Sequence, residues 1–195
     1  MSDDGSSRLS TLPKSKRLRL FSLLVLLVLF GGIGGIWLYN QVVLEKPLEA
    51  VFVNDPRNRV VTAHTHFDGW INPNVVVFDI TDISDSASRL DVFRMLLEFS
   101  EALKDRQFEK VILSARGHKK FVIDGAYFQQ IGQELKSQNP MYTMRTFPTH
   151  LTAMDGSKPF SEYSGGVFAV LGKEMEQFAE FHNSWYLKEF ATEGK

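Results

Sequence analysis

The chain of 195 residues contains no cysteine. Disulfides, thiolate zinc ligands and a cysteine nucleophile are therefore excluded, although the compartment stays open. It also lacks a P-loop, a Gly-x-Gly-x-x-Gly string and a Gly-x-Ser-x-Gly nucleophile elbow, so the common phosphate-cradling and serine-hydrolase signatures give no lead. Charge is scarce in sum, at −1, but unevenly placed: residues 1–39 hold five Lys or Arg against two Asp, and residues 40–195 hold seventeen against twenty-one Asp or Glu. A nucleic-acid partner is not expected, because phosphate contacts need a basic face and the larger part of the chain has none in excess. No internal repeat is visible, and the length suits one core with an appendage.

What is present in abundance is a run of apolar residues. Residues 20–39, LFSLLVLLVLFGGIGGIWLY, contain no ionisable group besides the Tyr39 phenol. At about 1.5 Å per residue such a helix spans roughly the 30 Å hydrocarbon core of a bilayer. Lys14, Lys16, Arg17 and Arg19 precede it and only Lys46 follows within fifteen residues, which predicts a cytoplasmic N-terminus. Trp37 and Tyr39 fall at its exit, where amphipathic rings favour the headgroup zone. A cleaved signal peptide fits less well, since the run is long, bulky WLYNQVVLEK follows it, and a basic, Ser-rich tail precedes it. A buried helix of a soluble protein would carry a polar face, and this one does not. Gly31 and Gly35 stand four apart, the spacing that lets two helices approach closely in lipid, so self-association is a candidate property.

The predicted organisation is a disordered basic tail over 1–19, a signal-anchor helix over 20–39, a linker over 40–50 and an extracytoplasmic domain over 51–195. Within the domain, residues 51–53 and 60–67 read as strands joined through NDPRNR into a hairpin. Residues 75–80, VVVFDI, read as a central strand covered on both faces. A helix is expected over 86–106, with Leu90, Phe93, Leu96, Leu97, Ser100 and Leu103 on one side and Ser86 or Ser88 as its cap. Residues 111–115 and 120–124 form a second predicted hairpin about Gly117. Another helix covers 127–137, stopped by Asn139 and Pro140, and residues 141–147 look extended. A last helix runs over 166–190 with Val170, Leu171, Met175, Phe178, Phe181, His182, Trp185 and Tyr186 as its core face. The fold class is α+β: a mixed, mainly antiparallel sheet packed with two to three helices.

Three stretches carry chemistry. His64, His66 and Asp68 alternate along one strand and so share a face. Two imidazoles and a carboxylate are metal-ligand types, with Zn²⁺ the candidate cofactor here. The spacing resembles the His-x-His-x-Asp-His of metallo-β-lactamase type sites, but Gly69 stands where the last His belongs, and only His118, His150 and His182 remain to complete a site. Asp79, Asp82 and Asp85 follow a strand, where they serve to end it, to form the turn and to cap the next helix, with Mg²⁺ or Ca²⁺ coordination as the lesser alternative. Residues 145–166 form a long aperiodic stretch, and long loops in compact domains are often functional. Arg145, Phe160 and Tyr163 are its candidate binding residues. Gly165 and Gly166 supply the flexible approach to the last helix.

Together these features predict a single-pass protein of the plasma or inner membrane. The bilayer contacts residues 20–39, and a protein partner contacts the outer domain. The expected role is an accessory or interaction module of an envelope or surface complex, without catalysis and without a cofactor. The alternative is a metal-dependent hydrolase built on His64, His66 and Asp68.

Overall fold

The computed structural model describes the backbone of residues 14–191 and the side chains of residues 21–191. Residues 1–13, most of the expected disordered tail, lie outside the described residues. The chain divides into two compact units between Tyr39 and Asn40.

The first unit is helical. Helix α1 (Lys14–Asn40) takes in the whole apolar run and begins at Lys14, so residues 14–19 are helical instead of belonging to an irregular tail. Every side chain from 21 to 39 is exposed, Leu27 at 74% and Phe30 at 71%. One helix is thus long and apolar enough to cross a membrane. A Cβ placed on Gly31 or Gly35 would meet nothing within 4 Å.

In the second unit the helical backbone goes on through a π-helical turn, Gln41–Glu45, into α2 (Lys46–Asn54). This corrects the expected strand at 51–53 and makes the connection at 40–50 helical. Pro47 lies inside this continued helical backbone, so its missing N–H leaves one bond of the ladder unmade next to the π-helical turn, and Leu48 and Val51, three apart, bury one face. The expected hairpin from 51–53 to 60–67 does not form. A 3₁₀ turn, Pro56–Val60, begun by the Asp55 side chain, leads into the sheet instead.

The sheet has five strands in chain order: β1 (Val61–Asp68), β2 (Asn72–Ile83), β3 (Lys110–Ala115), β4 (His118–Asp124) and β5 (Leu151–Ala153). Three of its four pairings are antiparallel, as the sequence predicts; β2 and β3 are parallel. A parallel pair needs a crossover, and α3 (Arg89–Ala102) supplies it. Ser88 caps α3 in a reciprocal box with Asp91. Its buried face includes Phe93, Leu96, Leu97 and Ser100 but extends to Val92, Met95 and Phe99, whereas Leu90 stays exposed.

Helix α4 (Gly125–Glu134) is capped by Asp124. Residues 141–147, expected to be extended, are mostly helix α5 (Pro140–Thr146). The Asn139 side chain accepts the Met141 N–H and Pro140 presets the first turn. Helix α6 (Val167–His182) passes through a π-helical turn, Asn183–Leu187, into α7 (Lys188–Ala191). Phe181, His182, Trp185 and Tyr186 are all buried there.

One sheet face carries Val76, Phe78, Ile80, Val111, Leu113 and Ile123 into the main core with Phe99 of α3 and Phe181 and Trp185 at the C-terminal end. On the other face Val75, Val77 and Ile112 form a second buried cluster. Residues 75–80 are therefore covered on both sides, although the middle strand is β3 rather than β2.

Candidate functional site

Along β1, Val61, Ala63, Thr65 and Phe67 are buried, so strand alternation puts His64, His66 and Asp68 together on the opposite face. They share a face without converging on a point. The His64 side chain is 62% exposed, its Nδ1 3.8 Å from the Glu45 carboxylate. The His66 ring stacks on Trp70 with centroids 5.0 Å apart, and its Nδ1 lies 2.9 Å from the Phe67 carbonyl. Asp68 accepts from the Lys119 ammonium at 2.5 Å, a bond that holds its carboxyl below the usual carboxylate range.

The remaining histidines are engaged elsewhere. His118 Nδ1 lies 3.1 Å from Glu189, and Glu189 also takes the Lys120 ammonium. His150 stacks on Tyr127 at 3.8 Å; burial, then the charge of Lys158, lowers its pKa. His182 is wholly buried, with Nδ1 3.0 Å from the Tyr186 hydroxyl, and burial pushes its pKa down to about 3. Among the described residues, no group of three or more His, Asp or Glu is placed to hold a metal ion.

Of the three aspartates expected after a strand, Asp79 and Asp82 lie within β2 and only Asp85 follows it; Asp79 accepts the Gly117 N–H with both oxygens, at 3.0 and 3.1 Å. This fixes the β3–β4 turn, where Arg116 and Gly117 have φ of +50° and +80°. Ser88 rather than Ser86 caps α3.

The loop residues separate. Arg145 binds Glu174 at 2.6 Å. Phe160 is packed inward, its ring centroid 5.8 Å from that of Phe121, while Tyr163 is partly exposed with the Lys173 ammonium 5.1 Å from its ring. Phe160 and Tyr163 both line an open cleft of about 500 Å³ whose walls also carry Arg89, Lys173, Glu176 and Glu180; Arg145 is not among the lining residues. Gln177 of α6 pins the loop here, accepting the Ser161 N–H at 2.7 Å and donating to the Ser161 carbonyl at 2.8 Å. The cleft thus carries both charge signs beside two aromatic rings.

Sequence reasoning missed a polar pair at the edge of the sheet. The Asn40 side-chain Oδ1 accepts the Phe67 N–H at 2.7 Å, and its Nδ2 donates to the Trp70 carbonyl at 2.9 Å. Glu45 accepts the Thr65 N–H at 2.6 Å. These bonds occupy two donors of β1, at Thr65 and Phe67, on an edge strand that would otherwise offer them to another chain. Nothing in the sequence warns of it: Asn40 and Glu45 are five apart, and only the π-helical turn between them sets residues at that spacing on one side. No family model, curated protein or solved structure matches the chain.

Proposed function

We propose that the protein is a single-pass, membrane-anchored accessory or interaction module of an envelope or surface complex. It sits in the plasma or inner membrane with its N-terminus in the cytoplasm and its α+β domain outside. The observation that carries this reading is α1, apolar and exposed along residues 21–39, a surface suited to lipid and costly in water. Lys14, Lys16, Arg17 and Arg19 support the orientation. The cleft lined by Phe160 and Tyr163 is the surface for a protein partner, and open space at Gly31 and Gly35 suits contact with a second copy.

Protease added outside intact cells tests the orientation: it should digest the domain and spare the N-terminal tail. Digestion only after the membrane is opened would reverse it. The accessory role predicts co-purification of a membrane partner that is lost on Tyr163→Ala and kept on His64→Ala/His66→Ala. Stoichiometric Zn²⁺ that disappears in the double histidine variant would replace this reading with the hydrolase.

A further inference from the structure

The turn between β1 and β2 presents two large apolar side chains to solvent, Trp70 at 52% and Ile71 at 71% exposure. The backbone there is in the left-handed region, φ +59° at Gly69 and +68° at Trp70, which bulky side chains rarely occupy. Three contacts hold it: the Trp70 N–H donates to the Phe67 carbonyl at 2.7 Å, the Trp70 carbonyl accepts from Asn40 at 2.9 Å, and the indole stacks on His66. A core would not need this arrangement, since neither Trp70 nor Ile71 is in it.

Asn40 is the residue that the turn is tied to, and it follows directly on Tyr39, the last residue of the apolar run. Consecutive Cα atoms are about 3.8 Å apart. A bond inside the globular unit thus holds an exposed tryptophan and isoleucine near the point where the chain leaves its apolar segment. If residues 20–39 span a bilayer, that point is the membrane–water boundary, where indole rings partition with their N–H toward water and their body toward lipid.

We propose that the Gly69–Ile71 turn is a second membrane contact, with Trp70 and Ile71 seated in the headgroup and upper acyl zone of the outer leaflet. The occupant of this apolar tip is lipid rather than a protein, because chain connectivity brings it to the bilayer surface before any partner arrives. The inference rests on the membrane-anchored reading above and adds to it a second point at which the chain meets lipid.

The absence of cysteine makes the test direct. Full-length protein carrying Ile71→Cys, labelled with an environment-sensitive nitrobenzoxadiazole, is reconstituted in phosphatidylcholine vesicles with shallow or deep doxyl-labelled lipid. Leu27→Cys in α1 and Asp105→Cys on the exposed surface after α3 are labelled in the same way. The label at 71 should lose emission to the shallow doxyl more than to the deep one and resist iodide. The label at 27 should lose emission to the deep doxyl, and that at 105 to iodide alone. A label at 71 quenched by iodide and untouched by doxyl, with 27 still quenched by the deep doxyl, overturns the second contact and leaves the anchor standing. A label at 27 that neither doxyl quenches overturns the anchor, and the second contact falls with it.

Discussion

Thr65 donates its backbone N–H to the Glu45 carboxylate at 2.6 Å, across twenty residues of sequence, so a side chain from the helical stalk stands where a neighbouring strand would. Asn40 does the same for Phe67. Hydrogen bonds to a charged acceptor contribute about 1.5–3 kcal/mol. Glu45→Ala should therefore speed amide exchange at Thr65 by on the order of tenfold or more, with Phe67 less affected, and Asn40→Ala should reverse that order. Residue-resolved hydrogen exchange reads both. Equal rates in the two variants and the parent protein would show that these side chains do not guard the edge.

A close approach of two helices rests on Gly132. A Cβ there would lie 2.3 Å from the Ser100 carbonyl oxygen and 2.6 Å from its carbon, both backbone atoms of α3 that cannot rotate aside. Gly132→Ala should cost about 1–3 kcal/mol through forced separation of α3 and α4, despite the better helix propensity of alanine. Gly172→Ala, in α6 with nothing within 4 Å, is the matched control and should be neutral or slightly stabilising. Urea denaturation of both variants separates packing from propensity.

His182 sets an acid limit. Its pKa is about 3 in the folded state against an ordinary 6.5, so between these values the unfolded chain binds the proton and the folded one does not. Stability should fall as pH drops through that window, by up to about 1.4 kcal/mol per unit, and level off below it. His182→Phe should flatten this part of the profile. Thermal unfolding followed from pH 7 to pH 4 checks the slope; an identical slope in the variant would assign it to other groups.

Asp68 and Lys119 lie on β1 and β4, with β2 and β3 between them, yet their side chains meet at 2.5 Å. The pair therefore reaches across the face that carries Val77 and Ile112. Lys119→Ala should let the Asp68 carboxyl titrate back toward its ordinary 3.8. Because a lowered folded pKa gives stability that is present above the ordinary value and lost as pH falls through the lowered one, the variant should lose this acid dependence. Carboxyl-carbon NMR titration of Asp68 would reveal an unchanged value if the contact were incidental.

Local chemistry was legible in the sequence where one signal acted alone. Ser86 or Ser88 marked the start of α3, where the structure chooses Ser88, Gly117 marked the β3–β4 turn, and the alternation about His64 and His66 gave the inward face of β1. Residues 51–53 misled because three apolar residues resemble a strand, whereas the helix already under way from Lys46 carries them on. Asn139 and Pro140 read as the stop of the helix before them but act as a start: α4 ends earlier, at Glu134, and the Asn139 side chain caps α5. Contacts between distant residues left no such trace. Nothing in the neighbourhood of Gly132 announces the Ser100 carbonyl, and the two polar residues at 40 and 45 have meaning only once β1 lies beside them.

The closed edge has a consequence for the order in which the molecule is made. Synthesis proceeds from the N-terminus, so Asn40 and Glu45 leave the ribosome before the strand they cover. The sheet is then laid down in chain order, β1 to β5, and each new strand meets a neighbour already present. At no stage does the growing domain need to wait for a distant segment to close its first edge, and its unpaired margin moves steadily outward until it rests on the three residues of β5.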